Sequence, residues 1–504
     1  MFLKSQRKRS VGSKKIRRTD LVRSAAFSKA TSAGIFLKLE NLRKTGALKI
    51  GGALNTCWKA KAEEEMDEDV IVVGGGTAGI VAAIAAARNG SKTAIIEQLN
   101  CLGGSQTAGL VSPLVGGGEH YFDTLVGGIH QELLCKIKEV GERFDGIWHD
   151  PETLKFLYEK VAIEEGVDLL YNTCVVGAIV KERRIDALVL HNKSGWQAAT
   201  AKVFIDATGD GDLAVKAGCK YSHGRSDDKL NQAPSFRFLV CNVDVEKLAD
   251  FLRKNGIPDV KPPRLGVGYT VGPYGAKELK HIWEKAVQDG ELTAEEVAYI
   301  QFTTMDGLSG VVNFNCPELR NVDCTDAKSL TEAAIKGRRM IRNLFNYFRK
   351  RIPGFENSSL VLTSYLMGIR ESRRIIGRYT LTEADILGGR KFPDAIVKSW
   401  YAVDIHLPDK GGVIIKSMPQ GDYYEIPYRC IVPKDIDNLL IAGRCISSDF
   451  EANSGLRIQA VCRGLGQAAG TAAALCVRFD TTPSELDVRV LLQKLKVQGA
   501  NLGQ

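Results

Sequence analysis

Two groups of residues in this sequence have types and spacing that indicate cofactor binding or catalysis. In the first, Gly74, Gly76 and Gly79 form the pattern G-x-G-x-x-G directly after the apolar run Val70–Val73. Glycine in such a turn lets the backbone approach the phosphates of a dinucleotide, whose charge the start of the next helix stabilises. Glu97 ends the following apolar run and could accept hydrogen bonds from ribose hydroxyls. The pattern predicts a dinucleotide site; a purely structural strand–helix–strand unit is the alternative.

The second group is a carboxylate and a histidine late in the chain. Asp404 and His406 are one residue apart in the stretch VDIHLP. In an extended strand they would point to the same side, where they form a pair suited to general-base catalysis. A structural role for His406 is the alternative interpretation.

A cluster of arginines precedes that pair. Arg370, Arg373 and Arg374 lie in the stretch IRESRRIIGRYT. Guanidinium groups bind carboxylates well, so we expect Arg370 and Arg373 to hold an acidic substrate or an anionic reduced cofactor. Alternatively, the arginines form surface ion pairs with Glu371 and Glu383.

Charge is distributed unevenly along the 504 residues. The whole chain carries a net charge of +9, but residues 1–62 hold 16 Lys and Arg against two acidic residues, which leaves residues 63–504 with a net charge of −5. Because the basic residues are confined to one terminal arm, we expect no nucleic-acid partner for the rest of the chain. No uninterrupted apolar stretch reaches the eighteen or so residues that span a bilayer, so no transmembrane segment is predicted.

The 12 cysteines are scattered singly, with no C-x-x-C pair. Zinc ribbons and bacterial-type iron–sulfur sites need closely spaced thiolates, so the sequence predicts neither a metal site nor an iron–sulfur cluster. Free thiols indicate a reducing compartment, and the expected location is the cytoplasm.

The basic arm, residues 1–66, is predicted to lie outside the fold. Arg17 and Arg18 precede a mildly apolar stretch, as in a twin-arginine export signal, and the arm also reads as an Arg- and Ser-rich transit peptide. A disordered or loosely helical extension is the third interpretation.

Apolar runs predict the elements that position these residues. Strands are predicted at Val70–Val73 and Leu439–Ala442, and an Ala-rich helix at Ile80–Arg88. A long Ala- and Gly-rich helix is predicted over Leu456–Cys476, with Arg457 in its first turn. The positive N-terminal end of this helix would stabilise negative charge on a reduced cofactor. Close packing through its glycines is the alternative role of the helix.

From Asp69 to about Ala474 the chain resembles the FAD-dependent oxidoreductase family that includes the flavin subunit of heterodisulfide reductase. It is similar, more distantly, to the fumarate reductase and succinate dehydrogenase flavoproteins. The stretches that carry the resemblance are VVGGGTAGIVAAIAAARNG, CLGGSQTAG, VFIDATGDGDLAVKAG, IRESRRIIGRYTLTEAD and IPYRCIVPKDIDNLLIAGRCISSDFEANSGLRIQAVCRGLGQAAGTAAA.

The resemblance implies an α/β fold: a glutathione-reductase-type Rossmann FAD-binding domain with an inserted α+β substrate or cap domain. The implied divisions are 67–219 and 430–480 for the two parts of the FAD-binding domain, 220–429 for the cap domain and 481–504 for a C-terminal tail. The amphipathic stretch TDAKSLTEAAIKGRRMIRNLFNYFRKRI predicts a long helix within the cap.

The resemblance also implies non-covalent FAD. In such flavoproteins a second glycine-rich loop, here Gly103 to Thr107, reaches from the pyrophosphate to the flavin; a surface turn is the alternative. The residues expected to bind FAD are Gly74, Gly76, Thr77, Ala78, Gly79, Glu97, Gly103, Gly104, Ser105, Thr107, Val175, Ala207, Thr208, Gly209, Gly443, Arg444 and Arg457.

We therefore expect an FAD-dependent oxidoreductase that exchanges hydride or electrons between flavin N5 and a small organic substrate with an acidic group. A second strand-linked G-x-G-x-x-G is missing, so the electron partner is expected to be the substrate, a quinone or a redox protein rather than NAD(P)H. Two alternatives stay open: a flavin electron-transfer subunit of a larger complex, and a nucleic-acid-modifying flavoprotein that holds RNA with its basic arm.

Overall fold

The computed structural model describes residues 65–502 apart from 114–124, 141–148, 259, 261, 264, 268–277 and 306, together with two short strands in the basic arm. The chain divides into two compact units, Met1–Met66 and Asp67–Gln504. The two strands of the first unit pair antiparallel. Arg17 and Arg18, on which the export-signal interpretation rests, lie outside the described residues.

The elements are numbered in chain order. The strands are β1 (Leu21–Arg23), β2 (Phe36–Lys38), β3 (Glu65–Val73), β4 (Thr93–Ile96), β5 (Asp168–Leu170), β6 (Cys174–Lys181), β7 (Arg184–Asn192), β8 (Gly195–Asp206), β9 (Tyr221–His223), β10 (Phe238–Cys241), β11 (Gly266–Val267), β12 (Phe302–Met305), β13 (Leu308–Phe314), β14 (Ser359–Thr363), β15 (Arg373–Ile375), β16 (Ala395–Ser399), β17 (Val403–His406), β18 (Val413–Lys416), β19 (Tyr424–Pro427) and β20 (Leu439–Ile441). The helices are α1 (Thr77–Arg88), α2 (Gly128–Val140), α3 (Pro151–Glu164), α4 (Asp212–Lys216), α5 (Val245–Lys254), α6 (Lys280–Gln288), α7 (Ala327–Arg351), α8 (Glu383–Leu387), α9 (Phe450–Leu456), α10 (Gln459–Phe479) and α11 (Val488–Val497).

A mixed sheet forms the base of the second unit. Its strand order is β5–β4–β3–β8–β7–β6, and β20 also pairs with β8. The pairs β3–β4, β4–β5 and β8–β20 are parallel, whereas β6, β7 and β8 form an antiparallel meander. Every residue of β4 is buried, as a strand covered on both faces requires. The sheet confirms the predicted α/β class and its Rossmann-type core.

Helix α10 packs across α1 at very short range. A Cβ atom on Gly466 would lie 2.2 Å from Ala78 O, and one on Gly470 would lie 2.0 Å from Ala82 O. Among the described residues, α10 is the one helix long and apolar enough to cross a bilayer, with a mean hydropathy of 1.2, but 94% of that window is buried inside the protein. Such burial is typical of a core helix, and the small residues along it let the two backbones touch.

Replacement of Gly470 by alanine is expected to lower the free energy of unfolding by about 2 kcal/mol. Overpacking costs about 1–3 kcal/mol, and a backbone oxygen at 2.0 Å places Gly470 at the upper end of that range, so a gain of roughly 1 kcal/mol in helix propensity leaves a net loss of about 2 kcal/mol. Urea unfolding of the cofactor-free protein measures the difference. Gly76→Ala is the matched control, because a methyl group there meets no protein atom within 4 Å. Equal destabilisation by both substitutions would contradict the packing argument.

The inserted region has its own sheet and core. Its strand order is β11–β12–β13–β10–β14, and α5, α6 and α7 supply apolar residues to the same core. Phe302, Phe314, Phe348 and Phe355 pack edge to face within it. The predicted amphipathic helix forms as α7, which Asp326 caps by accepting a hydrogen bond from the Ser329 amide.

Candidate functional site

A cleft of about 540 Å³ opens where β3, β8 and β20 end. Val73, Ala207 and Ala442 line it at those strand ends, as ligand sites do in open α/β sheets. Of the residues predicted to bind a cofactor, those that line the cleft are Gly74, Gly76, Thr77, Ala78, Glu97, Gly104, Ser105, Val175, Ala207, Thr208, Gly209, Gly443, Arg444 and Arg457. Gly79, Gly103 and Thr107 do not line it and support the turns behind its wall.

The first glycine turn forms a cradle for a phosphate group. Gly74 has a φ of +93°, and a Cβ there would lie 2.7 Å from Ala207 O, while a Cβ on Gly79 would lie 1.8 Å from Gly74 O. Gly76 faces open space, with no protein atom within 4 Å of its Cβ position. It is also the N-cap of α1 and makes no side-chain cap bond. The amides of the first turn of α1 are therefore directed towards the cleft, where they suit an anionic pyrophosphate.

Glu97 both lines the cleft and fixes the glycine turn. Its Oε2 accepts a hydrogen bond from the Gly75 amide at 2.6 Å, and its Oε1 accepts one from the Leu99 amide at 2.8 Å. Burial raises the pKa of this carboxyl, whereas the hydrogen bonds from the two amides lower it. The sequence predicted the contact with ribose but not this bracing of the turn.

The second glycine loop is tied to the first. The Gly103 amide donates to Gly75 O at 2.8 Å, and Gly103 has a φ of +96°. Thr107 donates through Oγ1 to Leu102 O at 2.5 Å. These contacts place Gly104 and Ser105 in the cleft wall, so the loop is part of the site rather than a surface turn.

His149 packs beneath this loop, with Nε2 at 3.0 Å from Gln106 O, and burial lowers the pKa of His149 to about 4. Acidification is therefore expected to destabilise the folded protein. An exposed histidine has a pKa of about 6.5, so between pH 6.5 and 4 the unfolded chain binds the proton first, at a cost to the folded state of about 3 kcal/mol. Urea unfolding of wild type and His149→Gln at pH 7 and 4.5 measures it. The wild type should lose more stability than the variant; equal losses would contradict the expectation.

The turn after β8 is held by Asp206. Its Oδ1 accepts hydrogen bonds from the amide and Oγ1 of Thr208, and its Oδ2 accepts one from the Ala214 amide at 2.8 Å. Burial raises the pKa of Asp206, against the effect of those donors. The carboxyl thereby positions Thr208 and Gly209 in the cleft wall.

Arg444 lies among charged residues that the sequence analysis did not single out. Its Nη2 donates to Asp210 Oδ1 at 2.7 Å, and its Nη1 donates to Ser372 Oγ at 3.1 Å. Arg373, predicted to contact substrate, instead donates through Nε to Asp210 O at 2.8 Å and pairs with Asp212 at 2.5 Å. Arg373 does not line the cleft, whereas Asp210, Asp212 and Lys216 do. Asp210 and Asp212 directly follow Gly209, which was predicted to bind the cofactor, so their place beside the cleft could have been predicted from the sequence.

Arg457 was predicted to lie in the first turn of a long helix. In the structure it lies in a break between α9 and α10. Helix α9 ends at Leu456, and α10 begins at Gln459 after an extended Ile458 with a ψ of 152°. The Arg457 guanidinium donates to Asp404 O at 2.9 Å and contacts Asp404 Oδ2 at 3.4 Å. These contacts hold the side chain in the cleft wall and explain why the helix restarts two residues later.

Asp404 and His406 face each other on β17, with His406 Nε2 at 3.6 Å from Asp404 Oδ1. On its other side, His406 Nδ1 forms a short contact with Glu318. Tyr401 donates to Asp404 Oδ2 at 2.9 Å. The imidazole thus lies between two carboxylates, behind Arg457 of the cleft wall. Neither Asp404 nor His406 lines the cleft, so the pair predicted to act as a general base supports the wall instead of facing it.

The charges of this cluster stabilise one another. Burial opposes ionisation of Asp404, but hydrogen bonding to His406 and the charges of His406 and Arg457 outweigh it and hold the pKa of Asp404 well below its ordinary value. Burial lowers the pKa of the Arg457 guanidinium, against the charge of Asp404. Arg370 lies 3.6 Å from Glu318 and donates to Ala233 O and Ser235 Oγ. Arg370 therefore reinforces the cluster from behind rather than lining the cleft.

The remaining arginine of the basic cluster is buried. Arg374 pairs with Glu371, and both side chains are at most 4% exposed. Glu383 pairs with Lys416 instead. The alternative interpretation named one partner correctly, Glu371, but this pair is buried rather than on the surface, because β15 carries the stretch into the interior against β9.

A family model described as FAD dependent oxidoreductase matches residues 69–495. The chain belongs to this family. As an FAD-dependent oxidoreductase it has a site that fits its cofactor: an open glycine cradle, an uncapped helix start and an acidic residue in one cleft. Among the described residues, no group of three His, Cys, Asp or Glu side chains is arranged to hold a metal ion.

Individual relatives of this FAD-dependent oxidoreductase match parts of it. Thiamine thiazole synthase of Methanococcus maripaludis is 29% identical over 167 residues, which are 30% of this chain and 59% of that protein. A geranylgeranyl bacteriochlorophyll reductase-like structure from Thermoplasma acidophilum covers 86% of this chain and 85% of that chain, with 13% identity and a TM-score of 0.43. The chain thus spans about three fifths of the length of that curated synthase.

The N-terminal residues match a different family. A model described as pyridoxal-phosphate dependent enzyme matches residues 12–99. L-threonine ammonia-lyase of Geobacter sulfurreducens is 52% identical over 42 residues, which are 8% of this chain and 10% of that protein. None of the three interpretations of the basic arm predicts this similarity.

Proposed function

We propose that this FAD-dependent oxidoreductase exchanges hydride between its flavin and a small organic substrate that carries an acidic group. The position of Arg457 carries the proposal: its guanidinium lies in the cleft wall, anchored from behind by Asp404. A buried arginine offers a fixed set of donors for a carboxylate, and its attraction to that carboxylate is stronger where water is excluded.

Different residues of the cleft have separate roles in binding the cofactor and the substrate. Gly74, Gly76 and the start of α1 hold the pyrophosphate, and Glu97 holds the adenosine ribose. Bound FAD supplies the two-electron chemistry. Arg457 orients the acidic group of the substrate, and Asp404, flanked by His406, holds the Arg457 guanidinium in the cleft wall from behind.

The test is a comparison of acids with their neutral analogues. The FAD-loaded protein is mixed without oxygen with 2-hydroxy acids, 2-amino acids and saturated acids, and with the amide of each. Bleaching of the yellow flavin band is expected with at least one acid and at least about 100-fold more slowly with its amide, since loss of a charged contact costs about 3 kcal/mol.

Arg457→Lys should weaken the preference for the acid, whereas Arg478→Lys, an exposed position at the end of α10, should keep it. Equal rates with an acid and its amide would contradict the proposal. Bleaching that needs a partner protein instead of a small acid would favour the electron-transfer alternative.

A further inference from the structure

Arg463 is a buried cation outside the cleft. It lies in α10 one turn after Gln459, which lines the cleft, and its side chain is 0% exposed. Its Nη2 donates to Tyr158 Oη at 2.7 Å, and its Nη1 lies 3.4 Å from His130 Nδ1. Within the described ranges no carboxylate forms an ion pair with it. A guanidinium buried among neutral groups costs considerable free energy unless a negative charge accompanies it.

Two hydrogen-bond donors beside this charge have no partner. Arg463 Nε is one, and Gln106 Nε2 is the other. Both residues are fully buried, and Tyr158 joins them because its hydroxyl donates to Gln106 Oε1 at 2.5 Å while it accepts from Arg463. Buried donors are nearly always paired, so unmet donors next to an uncompensated cation indicate an acceptor that carries negative charge.

We propose that a small monovalent anion, either an inorganic halide or a carboxylate of the size of formate or acetate, binds between Arg463 Nε and Gln106 Nε2. The site is distinct from the cofactor cleft, because neither Arg463 nor Gln106 lines that cleft. It lies beside it, since Gln106 follows Ser105 of the cleft wall in the second glycine loop. The anion supplies the missing counter-charge and ties α10 to that loop.

The direct test uses crystals of the FAD-loaded wild-type protein soaked in sodium bromide. An anomalous bromide peak is expected within hydrogen-bond distance of Arg463 Nε and Gln106 Nε2. A parallel soak that adds an excess of sodium formate separates the two sources: loss of the peak assigns the site to carboxylates as well, and its persistence assigns it to halides. The absence of a peak at these atoms in both soaks would overturn the proposal.

Thermal unfolding in solution gives an independent readout. At constant ionic strength, exchange of bulky gluconate for bromide is expected to raise the Tm of the wild type by about 2–5 °C, because the anion binds only the folded state. Arg463→Met should lose this rise, whereas Arg478→Met on the same helix should keep it. An equal rise in the wild type and Arg463→Met would overturn the proposal. If Arg463→Met does not fold, the anomalous bromide map of the wild-type crystals tests the anion site by itself.

Discussion

Alanine at position 76 is expected to weaken FAD binding about 10- to 100-fold while the protein remains folded. The φ of −70° at Gly76 suits any residue, and no protein atom lies within 4 Å of the added methyl group. That methyl would instead project into the cleft at the start of α1, where the backbone has to approach the pyrophosphate. A steric conflict of about 1–3 kcal/mol corresponds to the stated loss of affinity.

Titration of the cofactor-free protein with FAD, followed by quenching of flavin fluorescence, measures this affinity. Unfolding of the same cofactor-free sample in urea checks that the fold survives. Gly470→Ala is the converse control: it is expected to be less stable but, once folded, to bind FAD as the wild type does. Unchanged FAD affinity in Gly76→Ala would contradict the placement of the pyrophosphate.

Loss of the charge on Asp404 is expected to slow substrate-dependent flavin reduction by about 10- to 100-fold, because Arg457 loses the charged contact that holds it in the cleft wall. Asparagine keeps the shape of the side chain, but it removes the negative charge that faces His406 and Arg457. Because the pKa of Asp404 is held well below its ordinary value, the wild-type carboxylate is ionised throughout the usual assay range. The loss of rate should therefore be similar at every pH from about 6 to 9.

Stopped-flow measurement of flavin bleaching gives the rate, and the flavin absorption confirms that the variant is loaded. Asp394→Asn is a matched control, since Asp394 is also a largely buried carboxylate paired with an arginine, Arg429, at 2.9 Å. It should cost stability without slowing reduction more than about threefold. Similar rates for Asp404→Asn and wild type would contradict a role of the Asp404 charge in flavin reduction.

The local part of the site could be predicted from the sequence because its signals are close together. Gly74 to Gly79 and Glu97 lie within one strand–helix–strand unit, and their spacing alone places them at one end of the sheet. The prediction began α1 at Ile80 rather than Thr77, since helix ends are the least strongly encoded feature. The alternation of Asp404 and His406 likewise required only that the stretch be extended.

Long-range contacts were beyond the sequence. Glu318 contacts His406 from 88 residues away in the sequence, and nothing near either residue in the sequence predicts the other as its partner. The break at Arg457 follows Gly455, a residue that commonly ends helices, but the contacts of Arg457 with Asp404 join residues that are 53 positions apart. Arg463 resembles any charged residue of a helix in the sequence, and only the structure shows that it is buried beside Tyr158 of α3 and His130 of α2.

The absorption spectrum of the purified protein, with its cofactor released by heat, tests the central claim most directly. We expect a two-banded yellow spectrum and the release of free FAD, close to one molecule per chain, with no covalently retained flavin. A colourless protein that also fails to take up added FAD would contradict the account.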